Sequence, residues 1–372
     1  MVTDGTDMMT QGRSLSAPAV THGRVAVVIV NYRTANLAID CLRSLEPEIE
    51  RLPGAEVVIV DNASGDQSAE RIQSAVDESG WDWARVRRAD RNGGFAFGNN
   101  VALRELLASS DPPEYILLLN PDTVVRERAV QALAEFLAST PAAGIAGGSL
   151  EDAFGTEQRA AHRMPSVWTD LDCAARLGPL TRLLGHRADA IPAPHRPVRC
   201  DWVSGACMMV RRDVLARIGL MDERYFLYFE EVDFCTRARQ AGWEVWCVPQ
   251  ARVVHMEGAA TGVRRKSRLG RYRFSSRRRF FVRHHGILKL CLADVLWGLG
   301  RLSLAVRRTL HLGGGKHDDP KLFILDLLCG DAVALLTGEL FRVRTEHRVR
   351  TEHRVRSGRP VRNERHEDGE PG

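Results

Sequence analysis

Short, uninterrupted apolar segments alternate with helix-like segments in the N-terminal half of this 372-residue chain. The apolar segments VAVVIV, EVVIV and YILLL, at residues 25–30, 56–60 and 115–119, predict strands, and a weaker strand is predicted near Val86. Between them apolar residues recur at helical spacing, and Thr34 stands where it could cap the first helix. Buried strands alternating with helices predict an α/β fold, a mostly parallel sheet with helices on both faces.

The pattern resumes after residues 151–200, where several prolines predict loops and short helices. A strand at Trp202–Val210, a helix at Glu230–Gln240 and a strand at Glu244–Val248 are predicted next. We therefore expect one α/β domain at residues 25–262.

Composition refines this picture. The chain is 44% hydrophobic and 27% charged, as in ordinary globular proteins. Residues 1–24 lack the apolar core of a secretory signal and predict a disordered leader, and the polar residues 342–372, with two copies of VRTEHR, predict a disordered tail. Eight cysteines without a C-x-x-C pair favour reduced, buried thiols in a cytoplasmic protein over disulfides or a zinc site.

Residues 263–341 form a predicted basic and amphipathic helical region. Within it, residues 264–283 hold ten Arg or Lys and no acid, although the whole chain is only +5. Such a block favours an anionic surface, with phospholipid preferred over nucleic acid, and a solvated basic linker is the alternative. Two apolar stretches, Ile287–Leu310 and Leu322–Phe341, are interrupted by charges and too short in apolar residues to cross a bilayer. We expect interfacial helices on the inner face of the cell membrane, or else an ordinary helical subdomain.

Polar side chains stand where the predicted strands end. In open α/β sheets ligands bind at the carboxyl ends of strands, so these side chains should converge on one crevice. The residues concerned are Asn31, Tyr32, Asp61, Asn62, Asn120 and Asp122.

The segment RNGGFAFGNN, at residues 91–100, is a second candidate ligand site. Gly93 and Gly94 would let the backbone approach a ligand closely, and the amides of the following helix favour anions. Asn92 and Asn99 add polar side chains. The alternative is a glycine turn with a buried phenylalanine.

Asp122 and His255 are candidate metal ligands. A carboxylate at the end of a buried strand is suited to a hard divalent cation, which would neutralise a diphosphate leaving group. An imidazole suits manganese-like ions as a second ligand. The alternatives are a common strand-ending turn at Asn120-Pro121-Asp122 and a structural histidine.

Glu230, Glu231 and Asp233 lie directly behind the aromatic segment YFLYF, at residues 225–229. Apolar surroundings raise the pKa of a carboxyl group towards that of a useful base. One of these acids could therefore deprotonate a hydroxyl. The alternative is that they only complement the dipole of a helix start.

The order of these motifs resembles family 2 glycosyltransferases of the GT-A fold, in particular the bacterial subgroup that includes rhamnosyltransferases of cell-wall and surface polysaccharide. Seven segments between about Val25 and Gly262 carry the likeness. They are VVIVNY, VDNASGD, NGGFAFGNN, LLLNPD, WVSGACMMVRRDVL, FLYFEEVDFCTRARQAGW and VVHMEG.

The resemblance implies roles for single residues. Asp61 would contact the nucleotide, Asp122 would bind Mg²⁺ or Mn²⁺ at the diphosphate, and His255 would be the later metal-binding histidine. Glu231 would be the catalytic base. The acceptor side would be lined by Trp202, Ser204, Gly205 and Ala206.

The implied activity is an inverting transfer of one sugar from a nucleotide-diphosphate donor to a hydroxyl of a glycan or polyprenyl-diphosphate-linked acceptor. dTDP-rhamnose is the donor that the resemblance suggests, with UDP- and GDP-sugars open. Two departures from the family pattern matter: Asn120 replaces the first acid of the D-x-D motif, and Glu231 replaces an aspartate. The second departure leaves Glu230 and Asp233 as alternative bases.

Two other functions compete with this interpretation. A sugar-1-phosphate nucleotidyltransferase would want a basic, glycine-rich N-terminal loop, which VVIVNYRTAN lacks. A non-catalytic subunit that binds nucleotide sugar or glycan and scaffolds a polysaccharide complex is the other alternative.

Overall fold

The computed structural model of the protein describes residues 23–188, 191, 193–256, 270–312 and 323–343. The predicted leader and tail lie almost wholly outside these ranges, as do residues 264–269 of the basic block. The strands of the described part are β1 (Val25–Asn31), β2 (Glu56–Asp61), β3 (Ala84–Arg88), β4 (Tyr115–Leu119), β5 (Thr123–Val125), β6 (Ala143–Glu151), β7 (Glu157–Gln158), β8 (Ala161–His162), β9 (Val198–Cys200), β10 (Trp202–Val203), β11 (Cys207–Arg211) and β12 (Glu244–His255).

Helices follow most of these strands. The described ones are α1 (Ala35–Glu50), α2 (Ser68–Ser79), α3 (Phe95–Ala108), α4 (Ala129–Ser139), α5 (Val167–Ala175), α6 (Gly178–Leu184), α7 (Arg212–Ile218), α8 (Glu230–Gln240), α9 (Arg271–His284), α10 (Ile287–Thr309) and α11 (Phe323–Leu336), with a short 3₁₀ helix at Gly185–Arg187.

A ten-stranded sheet in the order β3-β2-β1-β4-β11-β6-β12-β5 organises the domain, with β7 and β9 as side branches on β6 and β12. The first four strands are parallel, β6 and β12 are parallel, and β11 and β5 run antiparallel to their neighbours. Every residue of β1 and β4 is buried. Because successive side chains of a strand point to opposite faces, both faces of the sheet are covered. The predicted mostly parallel α/β sheet is confirmed.

Several local predictions are wrong in detail. The strand expected at Trp202–Val210 is two strands, because residues 204–206 form a turn in which the Ser204 hydroxyl accepts a hydrogen bond from the Ala206 amide. The strand expected to end at Val248 continues to His255, with a register shift around Pro249 that accommodates the missing amide donor. β5 and β6 were not predicted.

The expected cap of α1 is also wrong. Thr34 precedes the helix, but its hydroxyl donates to Asn31 Oδ1 at 2.9 Å instead of capping the helix amides. A strand-end residue thereby fixes the start of the helix that follows.

The arginines of α9 correct our interpretation of the basic block. Arg277 lies between Asp170, Asp294 and Asp331, and Arg278 pairs with Asp331. Arg279 and Arg283 both contact Asp222. Four cations expected to face an anionic surface are therefore turned inward, because carboxylates distant in sequence neutralise them.

A second apolar cluster joins the C-terminal helices to the α/β domain. Phe280 and Phe281 of α9 and Leu290 of α10 pack with Tyr225 and Val232, which flank the start of α8. α10 in turn buries one face, at Leu290, Ala293, Trp297, Gly300 and Leu304. Among the described helices, none has the length and apolar character to traverse a bilayer.

All eight cysteines are free, as predicted. Five are buried, but Cys173, Cys291 and Cys329 are exposed, so the expectation of buried thiols is wrong for these three.

Candidate active site

A closed hydrogen-bond network occupies the ends of β1 and β2. Asn31 Nδ2 donates to Asp61 Oδ1 at 2.7 Å, because β1 and β2 pair in register at these two residues. The Ser64 hydroxyl and amide both donate to the Asp61 carboxylate, and the Arg33 amide donates to the Ser64 hydroxyl. Both Asn31 and Asp61 are buried. The network presents a preformed wall at the carboxyl end of the sheet.

Asn62 connects this wall to the glycine segment. Its Nδ2 donates to Asn92 Oδ1 at 3.1 Å and to the Gly94 carbonyl at 3.0 Å, and Asn92 Oδ1 also accepts the Gly94 amide. Gly94 has φ +87°, and a Cβ there would lie 1.9 Å from the carbonyl oxygen of Phe226. The close approach that we expected towards a ligand is therefore, at Gly94, an approach to the Phe226 backbone. The next amide, that of Phe95, donates to the same carbonyl at 2.9 Å.

The remaining residues predicted on the nucleotide side differ in burial. Asn99 is fully buried on α3, where its Nδ2 donates to the Phe95 carbonyl and its Oδ1 has no partner among the described residues. Gly93 lies against the Phe97 ring, close enough that an added Cβ would overlap it. Tyr32 is partly exposed, with the Arg33 guanidinium 5.2 Å from its ring centroid.

Asp122 and His255 are brought together by strand pairing. β5 pairs antiparallel with β12, placing His255 opposite Thr123, and the Met256 amide donates to the Asp122 carbonyl. His255 Nε2 consequently lies 3.5 Å from Asp122 Oδ1. Asp122 is only 2% exposed. A carboxylate oxygen and an imidazole nitrogen at this separation could share one cation.

Both backbone polar groups of Asn120 form hydrogen bonds within the protein, which stabilise the turn before Asp122. Its amide donates to the Ala206 carbonyl, and its carbonyl accepts from the Thr123 hydroxyl at 2.7 Å. Cys41 Sγ lies 3.8 Å from the same carbonyl, and burial raises the pKa of the Cys41 thiol to about 12. The Cys41 thiol is therefore uncharged at neutral pH and packs beneath the turn.

The donor set fits a divalent cation only in part. Among the described residues, no group of three or more His, Cys, Asp or Glu side chains is placed to hold a metal ion. Mg²⁺ and Mn²⁺ sites at phosphate-transferring centres often use one or two protein ligands and complete their coordination with substrate phosphate oxygens and water. Asp122 and His255 are suited to that arrangement.

The predicted acceptor-side residues lie between the metal pair and the acids. Because the start of β11 lies beside the end of β4, the turn at residues 204–206 reaches the carboxyl end of the sheet. A Cβ at Gly205 would lie 3.6 Å from Cβ of Glu231 and 3.4 Å from the Phe95 ring. Trp202 stacks on His162 at a centroid distance of 4.0 Å and donates to the Arg163 carbonyl.

Glu230 and Glu231 begin α8, and each has one buried carboxylate oxygen without a hydrogen-bond partner among the described residues. Burial raises the pKa of Glu231 to about 7. The backbone N–H groups of residues 231 and 232 and the charge of Arg273 lower this pKa, but by less than burial raises it. Burial and the neighbouring Glu231 charge raise the pKa of Glu230 well above the usual range. Near neutral pH, Glu231 is thus the member of the pair that ionises.

The backbone before these acids is strained. Tyr228 and Phe229 have φ +69° and +68°, in the left-handed region that residues other than glycine rarely occupy. Such conformations cost about 1–3 kcal/mol each and persist only when surrounding structure enforces them. Here α9 supplies that structure, because Phe280 packs on Phe229 and the Ser276 hydroxyl donates to the Leu227 carbonyl.

Asp233 differs from the two glutamates. It is completely buried and contacts Arg237 at 2.7 Å, His284 at 2.8 Å and Arg283 at 3.0 Å. The His284 hydrogen bond and the two guanidinium charges hold the pKa of Asp233 well below its usual range. Its geometry is that of a buried ion-pair centre that joins α8 to α9.

Hydrogen bonds and close contacts connect several of the predicted site residues along one edge of the sheet. They run from Asn62 through the glycine segment to Gly205 and Glu231, and from Ala206 through Asn120 to Asp122 and His255. The candidate metal ligands and the candidate bases therefore lie at the same edge of the sheet.

Comparison with known proteins decides the family. A family model for a glycosyltransferase-like family 2 matches residues 22–273. The N-acetylglucosaminyl-diphospho-decaprenol L-rhamnosyltransferase of Mycobacterium tuberculosis (strain ATCC 25618 / H37Rv) is 30% identical over 296 residues, 76% of this chain and 91% of that protein. The chain belongs to glycosyltransferase family 2. It is therefore an enzyme of the glycosyltransferase class, and the non-catalytic alternative is set aside.

Further similarities agree with this family 2 assignment. The rhamnosyltransferase WbbL of Escherichia coli (strain K12) is 27% identical over 172 residues, 44% of this chain and 60% of that protein. The mannosyltransferase PcManGT from Pyrobaculum calidifontis, solved with GDP-Man and Mn²⁺, superposes with a TM-score of 0.50 at 15% identity, covering 91% of this chain and 85% of that one. The structural match supports the GT-A fold that the motifs implied.

Some residues of this family 2 site were not anticipated from the sequence. Ser64 and Thr34 complete the Asp61 network, and the Phe226 carbonyl closes the glycine segment. The serine could have been found from its place three residues after Asp61, a common spacing for a side chain that accepts or donates across a turn. No feature of the sequence near Phe226 indicates that its carbonyl would accept a hydrogen bond from the glycine segment.

Proposed function

We propose that this glycosyltransferase transfers L-rhamnose from dTDP-rhamnose to a hydroxyl of a polyprenyl-diphosphate-linked glycan, with inversion at the anomeric carbon. The observation that carries the proposal is Glu231: one of its carboxylate oxygens is buried without a hydrogen-bond partner among the described residues, and its side chain lies close to Gly205 at the carboxyl end of the sheet. The sugar and the acceptor class are supported by the likeness to the mycobacterial N-acetylglucosaminyl-diphospho-decaprenol L-rhamnosyltransferase, of which this chain covers 91%.

The chain's own residues account for binding and proton transfer. Asp61 and Asn62 form the wall for the nucleotide, and Asp122 with His255 would hold Mg²⁺ or Mn²⁺. Such a cation, when bound, stabilises the negative charge of the departing nucleoside diphosphate. Glu231 takes the proton of the acceptor hydroxyl as its oxygen attacks the anomeric carbon, so one displacement inverts the configuration.

Glu231 is better placed than its neighbours for the proton. A pKa of about 7 leaves a substantial fraction ionised at neutral pH while keeping the carboxylate basic. Burial and the neighbouring Glu231 raise the pKa of Glu230 well above its usual range, and Asp233 is committed to Arg237, Arg283 and His284. We therefore assign the base to Glu231, with Glu230 and Asp233 in supporting roles.

Nucleotide release from a panel of dTDP-, UDP- and GDP-sugars, with and without Mn²⁺ or Mg²⁺, tests the proposal. We expect acceptor-dependent release from dTDP-rhamnose that EDTA abolishes, and an inverted anomeric configuration in the product by NMR. Asp122→Asn should lose metal-stimulated turnover by about 10²-fold or more. Full activity of that variant in EDTA, or a product with retained configuration, would contradict the proposal.

We also propose that α10 contacts the surface of the cell membrane. Its outward side carries apolar residues spaced alternately four and three apart, and the only charged residue among its exposed positions is Lys289. Asp294, its one acid, is turned inward to Arg277. An apolar face edged by a cation and free of acids suits an anionic lipid surface. The exposed apolar residues are Leu288, Leu292, Val295, Leu299, Leu302 and Val306.

Vesicle flotation tests this contact. The protein should float with phosphatidylglycerol-containing vesicles and less with pure phosphatidylcholine, and the double variant Leu299→Gln/Leu302→Gln should lose most binding. Leu183→Gln, at an exposed leucine of α6, is the matched control. Unchanged flotation of the double variant would contradict the proposal. A dimer in sedimentation that the double variant abolishes would assign the face to a second copy of the chain instead.

A further inference from the structure

Aromatic rings and one arginine form a patch beside the proposed base. The patch consists of Phe226, Tyr228, Tyr272 and Arg273. The Phe226 and Tyr272 ring centroids are 5.6 Å apart, and Tyr228 stacks on Tyr272 at 6.2 Å. The Arg273 guanidinium lies 4.8 Å from the Tyr228 ring centroid. Because Tyr228 is three residues before Glu231, the patch adjoins the carboxylate.

Arg273 differs from the four arginines in the later turns of its helix. Arg277, Arg278, Arg279 and Arg283 are each held by carboxylates. Arg273 is exposed and has no carboxylate partner among the described residues, although it lies in the first turn of α9, four residues before Arg277. Within the part of the chain that the structure describes, no carboxylate at ion-pair distance neutralises its charge.

The surroundings of Arg273 also favour an anion. α9 has no acid in its first turn, and its N-cap Gly270 offers no side-chain acceptor to the helix amides. The positive end of the helix dipole therefore adds to the guanidinium charge. The charge of Arg273 also reaches the base, since it opposes the rise in the pKa of Glu231 that burial causes.

The proposed reaction brings two diphosphates to the site, one in the donor and one in the acceptor. The position of Glu231 indicates which of them lies near Arg273. In an in-line displacement the leaving diphosphate and the attacking hydroxyl lie on opposite sides of the anomeric carbon. Asp122 and His255 lie with the leaving group, and Glu231 lies with the hydroxyl. A cation beside Glu231 is therefore on the acceptor side.

We propose that the aromatic and arginine patch is the binding site for the diphosphate-linked sugar of the acceptor. Arg273 contacts a phosphate oxygen, and the exposed ring of Phe226 with the half-buried ring of Tyr272 lies against the apolar face of the sugar whose hydroxyl reaches Glu231. This inference rests on the proposed function and adds the residues that recognise the acceptor. Guanidinium groups suit phosphate because they donate several hydrogen bonds in a fixed plane.

Two acceptors, one with and one without the diphosphate, test the inference. The first is N-acetylglucosamine linked to a short polyprenyl diphosphate, and the second is the same sugar as a neutral alkyl glycoside. Rates are measured at pH 8.5, above the pKa of Glu231, so that a changed base pKa does not enter. Arg273→Gln should lower kcat/KM for the diphosphate acceptor about tenfold or more relative to its effect on the glycoside. Arg273→Lys should recover part of that loss, and Arg43→Gln, at an exposed arginine of α1, is the charge-matched control.

Calorimetry supplies a readout that does not require transfer. The diphosphate acceptor should bind the wild-type protein, and Arg273→Gln should weaken this binding about tenfold while dTDP binding stays within about twofold. Equal losses on both acceptors would overturn the inference, as would weakened dTDP binding, which would assign the guanidinium to the donor. Acceptor binding without transfer of any sugar would refute the proposed function and leave the acceptor site standing.

Discussion

Two polar clusters lie at the same edge of the sheet, and they differ in how their atoms are satisfied. Around Asp61 the carboxylate accepts from Asn31 and twice from Ser64, and the cluster closes on itself. At the start of α8, Glu230 and Glu231 each have a buried oxygen without a partner among the described residues, behind two residues with positive φ.

We interpret the satisfied Asp61 cluster as a preformed binding wall and the unsatisfied glutamate pair as the proposed reactive group. Native proteins satisfy nearly all buried polar atoms, so an exception needs a reason. The Asp61 cluster needs no ligand to be stable, and it is suited to orienting a substrate. The buried oxygens of the glutamate pair are costly until a proton or a hydroxyl arrives, as the proposed role of Glu231 as a base requires. Sites that do chemistry are often less stable than the scaffold around them.

Glu231→Gln should have the largest effect on this contrast. We expect kcat to fall by about 10²–10⁴-fold, because the amide cannot accept the proton. Binding of dTDP should be unchanged, and above pH 7 the variant should be at least as stable as wild type, since a buried charge has been removed. Steady-state kinetics and thermal denaturation measure both effects.

Glu230→Gln is the matched control for that variant. Since burial raises the pKa of Glu230 well above its usual range and so favours the neutral acid, an amide resembles the form that burial favours. Its kcat should therefore stay within about tenfold of wild type. A Glu230→Gln loss as large as that of Glu231→Gln would assign the base to the pair rather than to Glu231.

Asp233→Ala should cost about 3–5 kcal/mol in the free energy of unfolding, because it leaves Arg237, Arg283 and His284 near one another without their carboxylate. The pKa of Asp233 is lowered in the folded state, so its contribution is complete at neutral pH and is lost only as pH falls towards that lowered value. Urea denaturation at pH 7 measures it. Asp40→Ala, in an exposed pair with Arg43, should change stability by less than about 1 kcal/mol.

Ser64→Ala should have a smaller effect on stability than Asp233→Ala. Asp61 keeps the Asn31 hydrogen bond and the backbone amide of residue 64, so about 1–2 kcal/mol of stability should be lost. The KM for the donor should rise while kcat changes little. A loss of kcat as large as that of Glu231→Gln would mean that the wall takes part in the chemistry.

Local patterns in the sequence predicted β1 to β4, because strands that are buried on both sides of a parallel sheet consist of apolar residues. The polar residues at the ends of these strands led us to expect a crevice there. The local patterns did not predict β5, although its pairing with β12 brings His255 to Asp122. They also could not separate Glu231 from Asp233. Both are acids at one helix start, and the difference is made by Arg283 and His284, about fifty residues away.

The arginines of α9 show the same limit. A block of cations without acids resembles a surface for anions when only neighbours in sequence are considered. Asp170, Asp222 and Asp331 reach four of its members from other elements. Charge runs in sequence therefore indicate composition, and only the tertiary contacts decide which charges face solvent.

The pH dependence of sugar transfer tests the role of Glu231 most directly. Because kcat/KM reports ionisation of the free enzyme, it should fall about tenfold per pH unit below an apparent pKa near 7. A profile that stays flat down to about pH 5, with a limb only near the ordinary glutamate value of about 4.3, would contradict the account.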